Sequence, residues 1–432
     1  MMLQKGDKKL INAWAFYDWA NSVYSLVIGT AVFPLYYSSI TENKSVWFLG
    51  MKWNIPDTLY SYALSFSFLV VAFLSPILSA IADYKGNKKN FMKFFCWLGG
   101  LSVISLYFFD GLDKAWLGIV FSILASIGFW SSIVFYNSYL PEVAFPEQQD
   151  KASAKGFIYG YAGSIILLII NLIMILFPDI FGISAGLASR ISFVMVGLWW
   201  IGFAQLTFKR LPDVKETKGT EKGYIWKGFT ALKKVWIELK NHTTLRKFLI
   251  AFFLLSIGVQ TIILLATIFG SSELGLKTTN LIITVLMIQL IAIVGAFIFS
   301  NISNKYGNIK TLKTTLLFWI LVCFCAFLLH KDLPNVEFYF YGLGGLLGLV
   351  LGAIQSLARA TYSKLLPVTT DNTTFFSFYD VTEKIAIVFG TFVFGFLNWI
   401  FNAMQYSVLS LALFFVASFI VLSTLKKTKY VQ

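Results

Sequence analysis

The sequence predicts an all-α polytopic membrane protein, with twelve transmembrane helices in two pseudo-symmetric six-helix bundles. Three observations predict it. The 432 residues are 57% hydrophobic and only 13% charged, whereas soluble domains carry roughly 25% charged residues. Many apolar runs reach the ~20 residues that a helix needs to cross a bilayer. A short internal repeat relates the two halves of the chain.

The spans fall near 12–38, 58–82, 91–110, 115–140, 155–177, 186–208, 246–270, 278–301, 312–330, 338–362, 375–400 and 404–425. The N-terminus, MMLQKGDKK, is polar. The first apolar run is too long for a signal peptide and has no small-residue cleavage site, so no cleavable signal is expected. Span 1 opens with WAFYDWANSVYS at 14–25. An ionisable residue inside a membrane is expensive and marks a functional site by default. The apolar centre of the span lies near Ile28, however, which puts Asp18 ~15 Å toward the inner side. Trp14, Tyr17 and Trp19 then read as an interfacial belt. Asp18 reads as an inner-gate residue or as the cap of a helix beginning at Trp19.

Charge sets the orientation. With the N-terminus inside, the inner segments hold 28 Lys and Arg and the outer segments six; the one left over, Lys384, lies within a span. Positive charge collects on the cytoplasmic side, so both termini are expected in the cytoplasm of a cell with the protein in its inner (plasma) membrane. The same asymmetry explains the net charge of +14 without nucleic acid. Cys96, Cys323 and Cys325 fall inside spans, where burial is expected and disulfides are not. His242 and His330 cannot assemble a metal site at any recognised spacing. No cofactor is expected, and the chain is expected to be a monomer among membrane lipids.

Residues 209–245 separate the spans six and six. The expected organisation is a bundle at 1–208, a cytoplasmic linker at 209–245 and a second bundle at 246–432. Within the linker, IWKGFTALKKVWIELK places Ile225, Phe229, Leu232, Trp236 and Leu239 at 4-3-4-3 spacing. This is an amphipathic helix, lying either on the inner membrane face or against the cytoplasmic end of the bundle.

The repeat pairs SAIADYKGNKK, from Ser79, with SNISNKYGNIK, from Ser300. Both end the second span of their half. Asp83 and Gly86 align with Asn304 and Gly307. The first copy resembles the loop motif of the major facilitator superfamily. Gly86 would allow the tight turn, and Asp83 could sit at a helix N-terminus of the other half and latch an inner gate. The second copy has Asn304 in place of the acid.

Longer stretches resemble one branch of that superfamily, the vacuole-effluxer (autophagy-related) permeases and their bacterial UMF-type relatives. They are FYDWANSVYS (16–25), YNSYLPEVA (136–144), SAKGFIYGYAGSI (153–165), GAIQSLARATYSKLLP (352–367) and FFSFYDVTEKIA (375–386). The resemblance covers both halves. It implies the major facilitator fold and a secondary transporter of small solutes driven by protons or another cation. The fungal members are associated with amino-acid export from the vacuole. This chain departs from the family at Ala358 and Ala360, where serines are usual, and at Glu383, where a small residue is usual.

Polar groups inside the spans nominate a site. Lys384 lies near the centre of span 11, one turn after Asp380, and the two can pair at i,i+4. Glu383 adjoins Lys384 but leaves the helix ~100° away. Lys384 either binds an anionic group of the solute, with Asp380 or Glu383 carrying a coupling proton, or forms a structural pair with Asp380. Arg359 and Gln355 share a face of span 10. Arg359 either snorkels to the surface or closes a gating salt bridge with Asp18 or Glu142. Asn137, Asn171, Gln260 and Gln289 add amides in spans 4, 5, 7 and 8, which interhelical hydrogen bonding explains equally well. Tyr159 and Tyr161 are candidates to line the solute cavity, because Gly160 and Gly163 allow close helix approach there. GLGGLLGLVLG (342–352) is glycine-rich, but it lies in an apolar span with no lysine after it and reads as helix packing.

The expected function is a secondary active transporter, a permease moving a small polar or anionic organic solute, amino acids included, by alternating access. The alternative is a solute-binding membrane receptor of the same fold that does not transport. An enzyme would need a nucleophile–base set or metal ligands near one face, and the sequence offers neither. No Walker-type loop suggests ATP as the driving force.

Overall fold

A computed structural model describes residues 3–212, 224–401 and 403–425. Twelve helices are long and apolar enough to cross a membrane. In the first half they are Lys8–Thr41, Pro56–Lys85, Lys88–Phe108, Leu112–Val143, Pro146–Leu176 and Ala185–Arg210. In the second they are Thr243–Glu273, Thr279–Tyr306, Asn308–Leu328, Val336–Leu365, Asn372–Phe401 and Met404–Ser423. These are spans 1 to 12. A two-stranded hairpin, Val46–Phe48 with Met51–Trp53, joins spans 1 and 2.

By internal contacts the chain forms two compact units. Unit 1 comprises Met1–Tyr139 and Tyr159–Phe229, and unit 2 comprises Leu140–Ile158 and Thr230–Gln432. The end of span 4 and the start of span 5 thus pack with the later spans, although chain of unit 1 flanks them on both sides.

Local chemistry sets the span ends. Pro56 and Asp57 open span 2, because proline lacks an N–H that would be orphaned there and the acid suits the helix N-terminus. Gly86 closes that span at φ 65°, a left-handed turn that a side chain would strain. Lys88 and Lys89, at the end of the SAIADYKGNKK repeat, are buried. Lys88 Nζ lies 4.0 Å over the Tyr139 ring, and Lys89 Nζ donates to the carbonyl of Leu211 at 2.9 Å. They satisfy carbonyls that helix ends leave open.

Small residues set the spacing within each unit. In unit 2, Gly344, Gly348 and Gly352 face Thr284, Ile288 and Ala292 of span 8, and an added Cβ would collide with each. This is the small-residue packing that draws helices together in lipid, as expected for 342–352. In unit 1, Gly99 and Gly100 meet Trp200 and Ile201 of span 6.

Two expectations are corrected here. Span 1 begins at Lys8, not near Trp19, so Asp18 lies mid-helix and does not cap one. Trp14 and Tyr17 are fully buried in unit 1 and form no interfacial belt. The span also has a π-helical middle, Tyr24–Ala31, which hydropathy does not reveal.

The linker helix runs Tyr224–Asn241. Its buried face is Val235 and Leu239, which join the apolar core of unit 2 with Phe248, Tyr362 and Phe375. Lys234 pairs with Asp371 at 3.8 Å, and the Trp236 ring lies 5.7 Å from that of Phe378. The helix therefore packs on the bundle end, and its apolar face is rotated from the expected one, leaving Trp236 50% exposed. The side chains of Ile225 and Phe229, the centre of the linker at 213–223, and Lys426, Lys427 and Lys429 lie outside the described residues.

Candidate functional site

Span 11 carries one cluster of buried charges. Tyr379 stacks on Phe252 of span 7, ring centroids 3.9 Å apart, and tilts against Tyr362 of span 10 at 4.9 Å. Nearly two turns after Lys384, Gly390 lets the helix close on Thr261 and Ile257 of span 7. Between these contacts sits Lys384, 1% exposed. Its Nζ is 3.0 Å from Asp380 Oδ1 and 3.2 Å from Glu383 Oε2. Gln260 Nε2 of span 7 donates to Glu383 Oε1 at 2.7 Å.

The expected Lys384–Asp380 pair is present. The expectation that Glu383 points away is corrected. Its backbone direction does diverge, but two flexible side chains bring the ends together. One ammonium thus serves two carboxylates, and the cluster is electroneutral with one of them protonated. Asp380 Oδ2 is buried with no hydrogen-bond partner among the described residues. Burying a polar atom unpaired costs about 1–3 kcal/mol, so this oxygen is where a proton or a donor group would be held.

A second cluster fastens Leu140–Ile158 within unit 2. Span 5 starts with Pro146 at the first helical position, and Gln148 Oε1 accepts the Phe145 N–H at 3.0 Å, half of a capping box. Asp150, buried on the next turn, accepts from Lys364 at 2.8 Å, Asn308 Nδ2 at 2.7 Å and Ser303 Oγ at 2.9 Å. Arg359 donates through Nε to Ser153 Oγ at 2.9 Å and through its terminal nitrogen to the Ser153 carbonyl at 2.8 Å. Its guanidinium lies 4.3 Å over the Phe157 ring. Asn372 Nδ2 donates to Glu142 Oε1 at 3.1 Å. Arg359 is therefore buried rather than snorkelled, and it and Asn372 grip the same segment at different points.

Reading the residues in order missed Asp150, Lys364, Ser153 and Asn308. A signal was available. PEQQD at 146–150 matches PVTTD at 367–371, with the same offset that relates Asp83 to Asn304. The second copy of the loop repeat also works differently from its first reading. Asn304 bonds locally, to the Ser300 carbonyl, while Ser303 and Asn308 hold an acid supplied by another segment.

Unit 1 holds most of the remaining candidates. In unit 1, Asp18 is 6% exposed and accepts from Tyr136 Oη at 2.8 Å. Trp14 stacks on Tyr136 at 4.6 Å, and Gly160 and Gly163 of span 5 close on Asp18, Trp19 and Ser22 of span 1. Asn137 and Tyr161 are buried in this unit, and Asp83 and Gly86 end span 2. Gln355 stands one turn before Arg359 in unit 2. Asn171 is buried in span 5, and Gln289 is half-buried in span 8. Between spans 3 and 4, Lys114 hydrogen-bonds Asp110 and, with Arg190, holds its carboxyl below the usual range. A cavity of about 50 Å³ inside unit 2 is lined by Ile262, Leu265, Phe340, Leu347 and Phe394. It is apolar and far below the roughly 300–1,000 Å³ of small-molecule sites, so it is not the candidate site.

Two bundles of six spans, with a buried charge in mid-span, define a polytopic membrane fold, and solved structures share it. The proton:xylose symporter XylE, bound to 6-bromo-6-deoxy-D-glucose, superposes with a TM-score of 0.73 at 12% identity, covering 98% of this chain and 96% of that one. The transporter FucP in its outward conformation gives 0.69 at 14%, covering 97% and 99%. These likenesses show the major facilitator fold. The family model for "Vacuole effluxer Atg22 like" matches residues 6–431, and the chain belongs to that family. The uncharacterized MFS-type transporter YxiO of Bacillus subtilis (strain 168) is 31% identical over 98% of this chain and 96% of its own. Autophagy-related protein 22 of Coccidioides immitis (strain RS) is 23% identical over 90% and 81%. The protein is thus an MFS-type transporter by family, and a multi-pass membrane protein.

Proposed function

We propose that the protein is a secondary active permease that moves a small polar or anionic organic solute across the cell's inner membrane by alternating access, with both termini cytoplasmic. The observation that carries this reading is Lys384, buried in mid-span and shared by Asp380 and Glu383. A lysine at this depth costs roughly 2.5–3.5 kcal/mol on insertion scales, so its presence there favours a role beyond packing. A solute carboxylate that takes the ammonium displaces one of the two acids, and a proton neutralises the acid released. Solute binding and proton binding are then linked through one cation. Amino acids fit this chemistry because each offers a carboxylate. The contacts of Asp150, Arg359 and Asn372 make Leu140–Ile158 the segment to be released when the inner gate opens.

The purified protein is reconstituted in vesicles, and amino-acid flux is measured under an imposed pH gradient. Lys384→Ala is expected to lower flux at least about tenfold, because a hydrogen bond to a charged group contributes about 1.5–3 kcal/mol. A folded Lys384→Ala protein with unchanged solute binding and flux would refute the site.

A further inference from the structure

We infer that the outward face of the linker helix is a binding site for anionic phospholipid headgroups. This inference does not depend on which solute is moved. Lys233, Trp236, Ile237 and Lys240 stand at i, i+3, i+4 and i+7 and form one contiguous patch. All four are exposed, on the side of the helix away from Val235 and Leu239, which the core of unit 2 covers. Trp236 and Ile237 keep 50% and 49% of their surface open. Lys240 Nζ stands 5.5 Å over the Trp236 ring, a cation–π contact that pre-orders the patch.

The patch lies close to the start of a membrane span. The linker helix ends at Asn241 and span 7 starts at Thr243. At 1.5 Å per residue the patch lies within ~15 Å of the first residue of that span. Arg246 and Lys247 follow, so Lys233, Lys234, Lys240, Arg246 and Lys247 stand together with one acid, Glu238. Clusters of 4–8 basic residues beside a transmembrane helix bind anionic lipid. A soluble anion would satisfy the lysines only. The half-open Trp236 and Ile237 need an apolar phase beside the charge, which the headgroup–acyl boundary supplies.

The helix is also fastened to span 11. Lys234 pairs with Asp371 and Trp236 contacts Phe378. Asp371 directly precedes span 11 and aligns with Asp150 in the PEQQD/PVTTD repeat. Lipid held by the patch therefore restrains the inner end of the helix that carries Lys384.

The full-length protein is placed in nanodiscs of phosphatidylcholine alone or of phosphatidylcholine with phosphatidylglycerol, and amide exchange is followed over 230–241. Slower exchange in the anionic discs, reversed by high salt, is the expected result. Titration of phosphatidylglycerol into the solubilised protein is expected to show affinity about 5-fold lower per lysine removed, roughly 30-fold for Lys233→Gln with Lys240→Gln. The double arginine variant should bind as the parent does. An unchanged melting temperature of the glutamine pair in phosphatidylcholine controls for folding. Equal exchange in the two kinds of disc overturns the inference. So does the same protection from inorganic phosphate added to phosphatidylcholine discs, which marks a soluble-anion site instead.

Discussion

Two buried lysines in unit 2 meet their counter-charges differently. Lys364 faces Asp150, whose two oxygens also accept from Asn308 and Ser303. Every strong partner there is used, which is the condition for a buried ion pair to be tolerated. Lys384 faces two acids, and Asp380 keeps one oxygen bare. The first arrangement resists change, and the second leaves an acceptor open, as the proposed solute site requires. Asp150→Ala strands a buried ammonium and is expected to destabilise by about 3–5 kcal/mol, read as lower thermal stability in detergent. Asp150→Asn, which keeps an acceptor for Ser303 or Lys364, should lose less; equal melting of the parent and the alanine variant would contradict this. At this scale the sequence was legible only locally. The i,i+4 spacing shows Lys384 with Asp380. Asp150 was hidden because its partners lie over 150 residues away, and Glu383 because side-chain flexibility outweighs helical angle.

Helix seams were more legible than helix ends. The glycines of 342–352 read as packing residues, and three of them form the seam with span 8. Two substitutions separate packing from propensity. Gly348→Ala drives a Cβ into the Ile288 backbone and is expected to cost about 1–3 kcal/mol by overpacking. Gly342→Ala meets nothing within 4 Å and should be neutral or stabilising by up to about 1 kcal/mol. Thermal unfolding of the two variants side by side checks the pair, and equal losses would place the seam elsewhere. The start of span 5 was read too late, at 155. Residues 146–151 are polar, and hydropathy alone cannot tell a polar helical turn from a loop. The linker helix was found, but its seat was not. Its 3.6-residue period shows that one face is apolar, while Asp371, Phe378 and the core of unit 2 choose which arc is covered.

At the scale of the molecule, topology follows from charge and span count. Single cysteines replacing Lys52 and Lys277 in a cysteine-free background should react with an impermeant maleimide in intact cells. Cysteines replacing Lys85 and Lys310 should react only after permeabilisation. The reverse pattern would invert the proposed orientation. Sequence by itself determined the twelve spans, the two related halves and the family, because lipid admits little besides apolar helices of one length and because the motifs recur across both halves. Tertiary structure alone decided that Leu140–Ile158 packs with the later spans, that Asp18 is buried against Tyr136, and that Lys384 is shared by two acids. Hydropathy and spacing report what each helix prefers along its own axis. Which buried charge meets which partner depends on distances between helices, and no single segment encodes those.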